Sequence, residues 1–467
     1  MTKFEFGFAV LVLTLGISTK APAQDLFCTT TTFESTGSSS VMLLDAPYTT
    51  TNDLYTIHGD AVARRSQNTI FVINRYLADN VLVLDASSGY AVVDQYSTGL
   101  DSNPQDLEVV RPGRAYLTRL EETQLWVVEP LHGTLLTTID LSPFADADGI
   151  PEMAQVAAVG DFAFVALQRL DRLQSNLPPA GGSSLVVIDT RSDQPVDAVP
   201  ETAGIDPILL PAENPSGDLW YDRNLNRLLV ICSGEFPQLD GGLAVVNPFT
   251  RKSEGFVTTE AQLDGNLQAA RLASSELGWA IVSNSSFQTL LLRFDASSGA
   301  PLDTVLTSSG FDLSDLEISQ QGKVYVSDRN AQNPGIRVYD AFTKAALAGP
   351  IGVGLPPFDL VLRDGAPEGP ITGAPPVLNP ARLTAWPNPF NPSVKLALSE
   401  AIGRPELLIL DARGRLVTRL RPSGGDSDRL LYRWDGRDAA GQAVASGVYW
   451  ARPAGTEISA VKLSLVR

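Results

Sequence analysis

A short strand-and-turn phrase recurs seven times along the chain and constrains the fold more than any other feature. Its clearest copies are Leu82-Val-Leu-Asp-Ala-Ser-Ser-Gly89 and Leu292-Arg-Phe-Asp-Ala-Ser-Ser-Gly299. Alternating aliphatic residues predict a strand, and the following Asp and Ser-Ser-Gly predict a tight turn into an antiparallel neighbour. The seven turn residues are Asp45, Asp85, Glu129, Asp189, Asn247, Asp295 and Asp340. Their spacings of 40 to 60 residues are typical of the four-stranded blades of a β-propeller.

Both ends of this array carry an incomplete unit. Residues 358–363 have the pattern of an innermost strand without outer strands after it, whereas residues 27–57 supply outer strands without an inner strand before them. Joining the two fragments in one sheet closes the ring and removes the free edges that an open array exposes. The sequence therefore predicts an all-β fold with a seven-bladed β-propeller over residues 25–363.

The blades resemble the YVTN-type propellers. Their pattern of a Tyr-Val-Thr-Asn-like strand, an Asn-x-Val-x-Val-Ile-Asp strand and a Gly-x-x-Pro junction is similar to three stretches here. These are Lys323-Val-Tyr-Val-Ser-Asp328, Gly335-Ile-Arg-Val-Tyr-Asp340 and Ile351-Gly-Val-Gly354 with Leu355-Pro-Pro357 after it. The third blade departs from the pattern with a Pro- and Gly-rich insertion at 172–183, and the fourth has Asn247-Pro where Asp is expected. This resemblance implies a fold and no particular activity.

The segments outside the propeller indicate export. Residues 1–23 have the form of a secretory signal peptide: Lys3, an apolar run over 6–17, and Ala21-Pro-Ala23 before the cleavage point. No later stretch is apolar for long enough to form a transmembrane segment after the signal is removed. Residues 364–380 contain five prolines and three glycines, a composition that predicts a semi-rigid linker.

Residues 381–467 form a separate all-β module, predicted as a small Ig-like β-sandwich of about seven strands. Its phrases resemble the C-terminal sorting domains of the type IX secretion system, which are related to the Ig-like domain of the flagellar hook-cap protein. The matching residues are Pro387, Asn388, Pro389, Phe390, Asn391, Pro392, Trp434, Asp435, Gly436, Gly447 and Tyr449. The resemblance implies that secretion machinery is a partner of this module, and leaves open whether the module is cleaved after export.

The charge distribution narrows the choice of partners for the propeller. The net charge is −18, yet residues 378–467 carry 13 Lys and Arg against 8 Asp and Glu, or +5, which leaves −23 for the rest. An acidic surface repels phosphate backbones and anionic membranes, so nucleic acid is excluded as a partner. Two histidines, His58 and His132, are too few for zinc sites built on paired histidines. Cys28 and Cys232 are either two buried thiols or a single disulfide.

Alignment of the blades places one polar residue near the start of each predicted innermost strand. These seven residues are Asp60, Asp106, Gln155, Asp218, Gln268, Asp315 and Asp359. Because inner strands all run along the central channel, equivalent positions converge on one mouth of it. Crowded carboxylates either take up protons or hold a cation, and calcium accepts six to eight oxygen ligands of this kind. The competing interpretation, which we favour, is that each acid caps a turn by accepting backbone N–H bonds.

Other polar and aromatic groups give weaker signals. Asp146, Asp148 and Gly149 hint at a calcium loop, but the first and twelfth ligand positions of an EF-hand are missing, which favours an exposed turn. An aromatic set, which could stack on sugars, falls on apolar strand positions and is predicted to pack between blades. Its members are Trp126, Trp220, Tyr221, Trp279 and Tyr325.

These observations favour a secreted or surface-displayed bacterial propeller that binds a protein, a glycan or a small molecule, with export through its C-terminal module. The alternative is a lactonase-like hydrolase that uses an acidic, cation-holding central pocket. His58 lies two residues before Asp60 and is the one candidate for a catalytic base beside the predicted ring. A third possibility is a scaffold that spaces other surface proteins.

Overall fold

The structure is a computed structural model of the 467-residue chain. It describes residues 24–223, 225–363, 383–386, 390–399, 406–411, 413–422, 424–425, 429–454 and 460–466. The predicted signal peptide (1–23) and linker (364–380) lie outside the described residues. The chain divides into two units, Met1–Pro370 and Ile371–Arg467.

Antiparallel strands make up nearly all of the first unit. The first four are β1 (Asp25–Thr31), β2 (Thr36–Leu43), β3 (Thr50–Thr51) and β4 (Thr56–His58). Blade 1 contains β5 (Ala61–Ser66), β6 (Thr69–Asn74), β7 (Asn80–Asp85) and β8 (Ala91–Ser97). Blade 2 contains β9 (Pro104–Arg111), β10 (Arg114–Arg119), β11 (Gln124–Val128) and β12 (Leu135–Asp140). Blade 3 contains β13 (Met153–Val159), β14 (Phe162–Leu167), β15 (Ser184–Asp189), β16 (Gln194–Val196) and β17 (Ile208–Leu209).

The remaining blades repeat the four-stranded pattern. Blade 4 contains β18 (Leu219–Asp222), β19 (Arg227–Cys232), β20 (Gly242–Asn247) and β21 (Lys252–Thr259). Blade 5 contains β22 (Asn266–Leu272), β23 (Leu277–Ser283), β24 (Thr289–Asp295) and β25 (Pro301–Thr307). Blade 6 contains β26 (Leu313–Ile318), β27 (Lys323–Asp328), β28 (Gly335–Asp340) and β29 (Ala346–Ile351). Strand β30 (Pro357–Arg363) joins β1, β2, β3 and β4 to form blade 7.

Blade 7 closes the ring with strands from both ends of the unit. The inner strand β30 pairs with β1 along its length, from Asp25 opposite Arg363 to Thr30 opposite Pro357. Nε of Arg363 donates to Oδ1 of Asp25 at 2.9 Å. This buried ion pair links β30 to β1, although the two residues are 338 positions apart in the sequence. Within residues 24–363 the fold is a seven-bladed β-propeller, which confirms the fold class predicted from the repeat.

The recurring phrase forms the turn between the third and outer strands. In blade 1 the Asp85 carboxylate accepts hydrogen bonds from the Ser87 backbone N–H at 2.9 Å and the Ser88 hydroxyl at 2.6 Å. Gly89 then adopts φ +69°, a left-handed conformation that favours glycine. The same contacts recur at Asp295, whose carboxylate accepts from the N–H groups of Ser297 and Ser298. The phrase therefore encodes a turn, and the carboxylate of its acidic residue accepts hydrogen bonds from groups of that turn.

Helix is scarce among the described residues. It consists of α1 (Glu260–Leu263) and two 3-10 turns at Ala86–Ser88 and Ser142–Phe144. None of the helices in the described ranges has the length and hydrophobicity needed to cross a membrane. Apolar side chains fill the space between blades, and Trp279 and Tyr325 are completely buried there, as predicted for packing residues. Cys28 and Cys232 are both buried free thiols.

The second unit is an Ig-like sandwich of two four-stranded sheets in its described residues. The strands are β31 (Leu383–Trp386), β32 (Val394–Ser399), β33 (Leu407–Asp411), β34 (Leu416–Leu420), β35 (Gly424–Gly425), β36 (Arg429–Trp434), β37 (Gly447–Pro453) and β38 (Val461–Leu465). One sheet has the order β31-β32-β36-β35, the other β34-β33-β37-β38. Trp434 is 1% exposed and packs edge-on against Tyr449, with ring centroids 5.0 Å apart.

Candidate functional site

Three of the predicted ring aspartates connect neighbouring blades across the channel wall. Oδ2 of Asp106 accepts the backbone N–H of Val156 at 2.9 Å, and Oδ2 of Asp315 accepts that of Leu360 at 2.8 Å. Oδ2 of Asp359 accepts the backbone N–H of Ala63, also at 2.8 Å. In each case the donor belongs to the inner strand of the next blade. These carboxylates therefore do accept backbone N–H bonds, and they join blades as well as shaping local turns.

The same contact pattern corrects the alignment of blade 1. A ring aspartate accepts the backbone N–H of the residue directly after the ring position of the next blade: Asp315 does so after Asp359, and Asp106 after Gln155. Asp359 accepts the N–H of Ala63, the residue directly after Val62. Val62 therefore occupies the ring position of blade 1, and Asp60 lies one residue before β5. The Asp60 carboxylate instead accepts a bond from Arg75 at 2.5 Å. Aligning by distance from the strand start misplaced Asp60.

His58 is engaged by groups of its own blade junction. Its backbone N–H donates to the side-chain oxygen of Asn74 at 2.8 Å, and its ring Nδ1 accepts the backbone N–H of Asp60 at 3.2 Å. The Nδ1 lone pair is therefore occupied by a turn contact. His58 is not among the residues that line the channel cavity described below.

The inner strands carry a second layer of channel residues, each paired with a residue near the middle of the neighbouring strand of its blade. The strand registers align seven residues in this layer: Arg64, Glu108, Ala157, Trp220, Arg271, Glu317 and Val361. Six of their seven partners on the second strand are aromatic, and the seventh is Leu229. Because side chains alternate along a strand, the ring position and the residue two places on both face the channel. This layer brings two arginines and two glutamates to the channel.

Arg64 reaches across the channel to residues of three other blades. Its Nε lies 2.6 Å from Oδ1 of Asp106 in blade 2, and its terminal Nη2 donates to the side-chain oxygen of Gln155 in blade 3 at 2.6 Å. Nη1 lies 4.0 Å from Oδ1 of Asp359 in blade 7. The guanidinium group thus occupies the blade 2 and blade 3 side of the channel.

Arg271 makes the corresponding connection on the other side. Its Nη2 lies 2.7 Å from Oδ2 of Asp218 in blade 4 and 2.7 Å from Oε1 of Glu317 in blade 6. The guanidinium carbon is also 4.7 Å from the ring centre of Trp220, a cation–π contact. Trp220 therefore lines the channel and also packs against the apolar cluster between blades 4 and 5, as predicted for a packing residue.

A cavity of about 930 Å³ occupies the channel beside these two arginines. Its polar lining comes from blades 1, 4, 5, 6 and 7, and includes Arg64, Asp218, Arg271, Asp315, Glu317 and Asp359. Trp220, Leu272, Ile318, Phe342 and Leu360 supply apolar surface. Neither Asp106 nor Gln155 is part of the lining. The cavity extends from the aspartate layer towards the rim where the inner strands end, because its lining includes the turn residues 319–322.

The carboxyl groups of the channel differ in proton affinity. Burial raises the pKa of Asp359 to about 6, an effect that the charge of Arg64 opposes. Burial and the neighbouring Asp359 and Asp218 charges raise the pKa of Asp315 well above its usual value. Burial, helped by the Asp106 charge, also raises the pKa of Glu108 to about 8. Although burial opposes it, the charges of Arg271 and Arg64 lower the pKa of Asp218. The channel therefore holds both ionised and proton-retaining acids.

Calcium ligation by the predicted ring has no support in the geometry. Among the described residues, no cluster of three or more His, Cys, Asp or Glu side chains is arranged to hold a metal ion. Gln268 lies on a bulge between Leu267 and Ala269. The Asp146 to Gly149 stretch is a turn in which Asp146 accepts the backbone N–H of Asp148 at 3.1 Å. Guanidinium groups contact these acids instead: Arg64 contacts Asp106, and Arg271 contacts Asp218.

Sequence reasoning missed the charged residues of the second layer. Arg64, Glu108 and Glu317 lie on inner strands, and the last two stand two residues after a predicted ring position. The period of two along a strand was the signal that could have found them. Arg271 is displaced from that spacing because the bulge at Gln268 adds a residue to the strand.

The described motif residues of the second unit are structural. Phe390 and Trp434 belong to the core, and Nε1 of Trp434 donates to the Arg437 carbonyl at 2.8 Å. The Tyr449 hydroxyl donates to the Ala445 carbonyl at 2.7 Å, which fixes the turn before β37. Asn391 and Pro392 lie in the bend before β32, Asp435 and Gly436 follow β36, and Gly447 begins β37. Pro387, Asn388 and Pro389 lie outside the described residues.

Comparison with known families identifies the second unit. Residues 389–455 match the FlgD Ig-like domain family. This match agrees with the two-sheet sandwich and with the Ig-like fold predicted from the sequence. No curated protein matches the chain.

Solved structures similar to the chain share the propeller fold at low sequence identity. A protein described as a "putative 6-phosphogluconolactonase" from Bacteroides fragilis has a TM-score of 0.51 and 13% identity, over 74% of this chain and 99% of that one. Apo AztD from Citrobacter koseri has a TM-score of 0.46 and 13% identity, over 73% of this chain and 98% of that one. Hydrazine synthase from Kuenenia stuttgartiensis has a TM-score of 0.47 and 12% identity, over 66% of this chain and 95% of that one. At these identities the likeness is one of fold alone.

Proposed function

We propose that this chain is a secreted or surface-displayed bacterial binding protein. In this proposal the propeller takes a small polar ligand into the channel cavity, and the C-terminal module directs export through a type IX secretion system. The YVTN-type character of the blades belongs to the same proposal, as does removal of residues 1–23 during export. The channel cavity carries the binding part, and the family match of residues 389–455 supports the choice of the export module.

The cavity has the properties of a preorganised binding site. Its volume of about 930 Å³ falls in the range of small-molecule sites, about 300–1,000 Å³. Arg271 is held by carboxylates of two other blades and by the Trp220 ring, so its position is set before any ligand arrives. Cross-blade hydrogen bonds fix Asp315 and Asp359 in the same way. Fixed polar groups lower the ordering cost of binding, which favours recognition of a defined ligand.

The contacts of His58 and Asp60 among the described residues do not favour the lactonase-like alternative. In that alternative His58 was the one candidate for a base beside the acidic ring. The Nδ1 atom of His58 instead accepts a backbone N–H, and the carboxylate of Asp60 binds Arg75. The likeness to the Bacteroides fragilis protein shows a shared fold and carries no activity over to this chain.

Binding can be tested with the purified full chain. A library of small polar compounds is screened by thermal shift against the wild type and against Trp220→Leu and Glu317→Gln, which both change the cavity lining. Compounds that bind the channel raise the melting temperature of the wild type and lose most of that effect in the two variants. Trp450→Leu, an exposed position in the second unit, is the matched control and should respond like the wild type. If no compound stabilises the wild type, or the two variants respond like the control, the binding proposal is wrong.

Export can be tested independently in a bacterium that has a type IX system. The full chain and a version that ends at Arg363 are expressed in the parent strain and in a strain that lacks the secretion pore. The proposal expects the full chain at the cell surface or in the medium of the parent strain only, with the shortened chain retained in the periplasm. Equal export of both versions would show that the C-terminal module is not the export signal.

A further inference from the structure

This inference rests on the binding function proposed above and concerns the class of ligand. It is argued from the carboxyl and guanidinium groups that line the cavity. Four carboxyl groups line the cavity, those of Asp218, Asp315, Glu317 and Asp359. Three arginines, Arg64, Arg65 and Arg271, are the cations of the lining. Arg64 is directed towards Asp106, and Arg271 is shared between Asp218 and Glu317. The cavity therefore has more carboxyl groups than guanidinium groups to neutralise them.

Two carboxyl groups on one side of the cavity accept no hydrogen bond from a guanidinium group of the described residues. Asp315 is 8% exposed, lines the cavity, and forms no ion pair with any residue that the structure describes. Its two oxygens accept only the backbone N–H groups of Leu316 and Leu360, each at 2.8 Å. For Asp359, the contact with Nη1 of Arg64 is 4.0 Å long, which is too long for a hydrogen bond. Burial disfavours the ionised forms of these two acids, and a bound cation would stabilise those forms.

The shape and remaining lining define the rest of the ligand. A monatomic cation needs several oxygens within a single coordination sphere, and the described residues provide no such cluster. The space is instead large, and Trp220, Leu272 and Leu360 give it apolar walls between the charged groups. An ammonium group on a hydrocarbon body satisfies both features, since it donates to carboxylates and its methylene groups cover apolar surface. Carboxyl groups on blades 4, 6 and 7 allow more than one ammonium group to be bound.

We propose that the channel cavity binds a small organic polycation of the diamine or polyamine class. One ammonium group lies between Asp315 and Asp359, and a second lies near Glu317 and Asp218, where it shares these carboxylates with Arg271. The hydrocarbon chain between them lies along Trp220 and Leu360. The ligand enters from the rim at residues 319–322, towards which the cavity extends.

A five-carbon ligand series tests the charge requirement at constant length. Isothermal titration calorimetry with the full chain at neutral pH compares 1,5-diaminopentane, 5-aminopentanoate, 1,5-pentanediol, glutarate and calcium chloride. We expect 1,5-diaminopentane to bind about tenfold or more tightly than 5-aminopentanoate, a difference of about 1.4 kcal/mol, and glutarate not to bind. Asp359→Asn should weaken diamine binding by about tenfold, because its amide keeps an acceptor for Ala63 while removing the charge. Glu201→Gln, at an exposed acid outside the cavity, should leave the affinity within about twofold.

The possible results separate this inference from the function on which it rests. If the diamine binds no more tightly than the diol, or equally well to wild type and Asp359→Asn, the polycation class is wrong. Binding of calcium alone would also overturn it. If the diol or glutarate binds and Trp220→Leu abolishes that binding, a channel-binding function stands while the ligand class fails. If none of these ligands and no library compound binds, both fail. Should Asp359→Asn lose its fold by circular dichroism, Glu317→Gln replaces it with the same expected loss.

Discussion

The Nε atom of Arg64 lies 2.6 Å from Oδ1 of Asp106, although the two residues belong to neighbouring blades and are 42 positions apart. The same guanidinium group donates to Gln155 in the next blade. Asp106 is 2% exposed, so this contact neutralises a carboxylate that water barely reaches. An interaction inside the channel therefore holds three blades in a fixed arrangement.

Replacing Arg64 should destabilise the propeller through the carboxylate that it leaves behind. Loss of one partner of a buried ion pair costs about 3–5 kcal/mol, because the remaining charge stays buried. We expect Arg64→Met to lower the free energy of unfolding of the full chain by about this amount in urea denaturation. Arg64→Met combined with Asp106→Asn should recover a large part of the loss.

A surface arginine supplies the control for this experiment. Arg191 contacts Asp189 and Asp161, but its side chain is 63% exposed. Solvent screening limits such pairs to about 0–1 kcal/mol, so Arg191→Met should have little effect on unfolding. If the two single variants are equally stable, the channel contact does not hold the blades together.

Glu108 should make the stability of the propeller depend on pH. Burial and the Asp106 charge raise its pKa from 4.5 to about 8, so the folded state retains a proton that the unfolded state releases. Its stabilising contribution is complete below pH 4.5 and is lost as the pH rises towards 8. At about 1.4 kcal/mol per pKa unit this shift corresponds to about 5 kcal/mol, and because Glu108 is partly exposed we expect a loss on the order of 2–4 kcal/mol.

Glu108→Gln isolates this contribution, because glutamine keeps the size and cannot ionise. We expect the difference in free energy of unfolding between variant and wild type to shift in favour of the variant between pH 5 and pH 8. Urea denaturation at several pH values measures this difference. A difference that stays constant with pH would show that Glu108 has an ordinary pKa.

The repeat predicted the blades well, because turn chemistry and strand alternation are local properties. Asp85 and Gly89 shape their turn through contacts within five residues, so the phrase alone was informative. The ring position was predictable where the inner strand places its aspartate third, as in Asp106, Asp315 and Asp359. It failed at Asp60, because the ring position of blade 1 is Val62, two residues later.

The charge network of the channel was beyond sequence reasoning for a different reason. Arg64 contacts Asp106 and Gln155, which are 42 and 91 positions away in the sequence. Only the closed ring brings these residues together. The bulge at Gln268 moved Arg271 out of the expected spacing. Long side chains that cross a channel are set by the tertiary structure, and no local pattern of residues encodes their partners.

The closure of the ring predicts a specific cross-link. Cys28 on β1 faces Leu360 on β30 as a directly paired residue. Directly opposed residues in antiparallel strands have Cβ atoms about 4.5–5.5 Å apart, which a small adjustment brings into disulfide range. We therefore expect Leu360→Cys to form a disulfide with Cys28 in oxidising buffer, seen as a linked peptide by mass spectrometry after digestion.

Leu362→Cys is the matched control, because its partner is Leu26 and it should stay unlinked to Cys28. A bond formed equally well by both variants would contradict the register of blade 7.

The Ig-like unit should lose stability in steps that reflect its core contacts. The Tyr449 hydroxyl donates to the Ala445 carbonyl at 2.7 Å, a bond worth about 1 kcal/mol, so Tyr449→Phe should cost roughly that amount. Trp434→Ala removes a fully buried ring that contacts both Phe390 and Tyr449, and should cost about 3–5 kcal/mol.

Since the two units have separate cores, we expect neither change to move the unfolding transition of the propeller. Calorimetry of the full chain, with the exposed change Trp450→Leu as control, measures both transitions. A single transition that shifts as a whole in Trp434→Ala would show that the units unfold together.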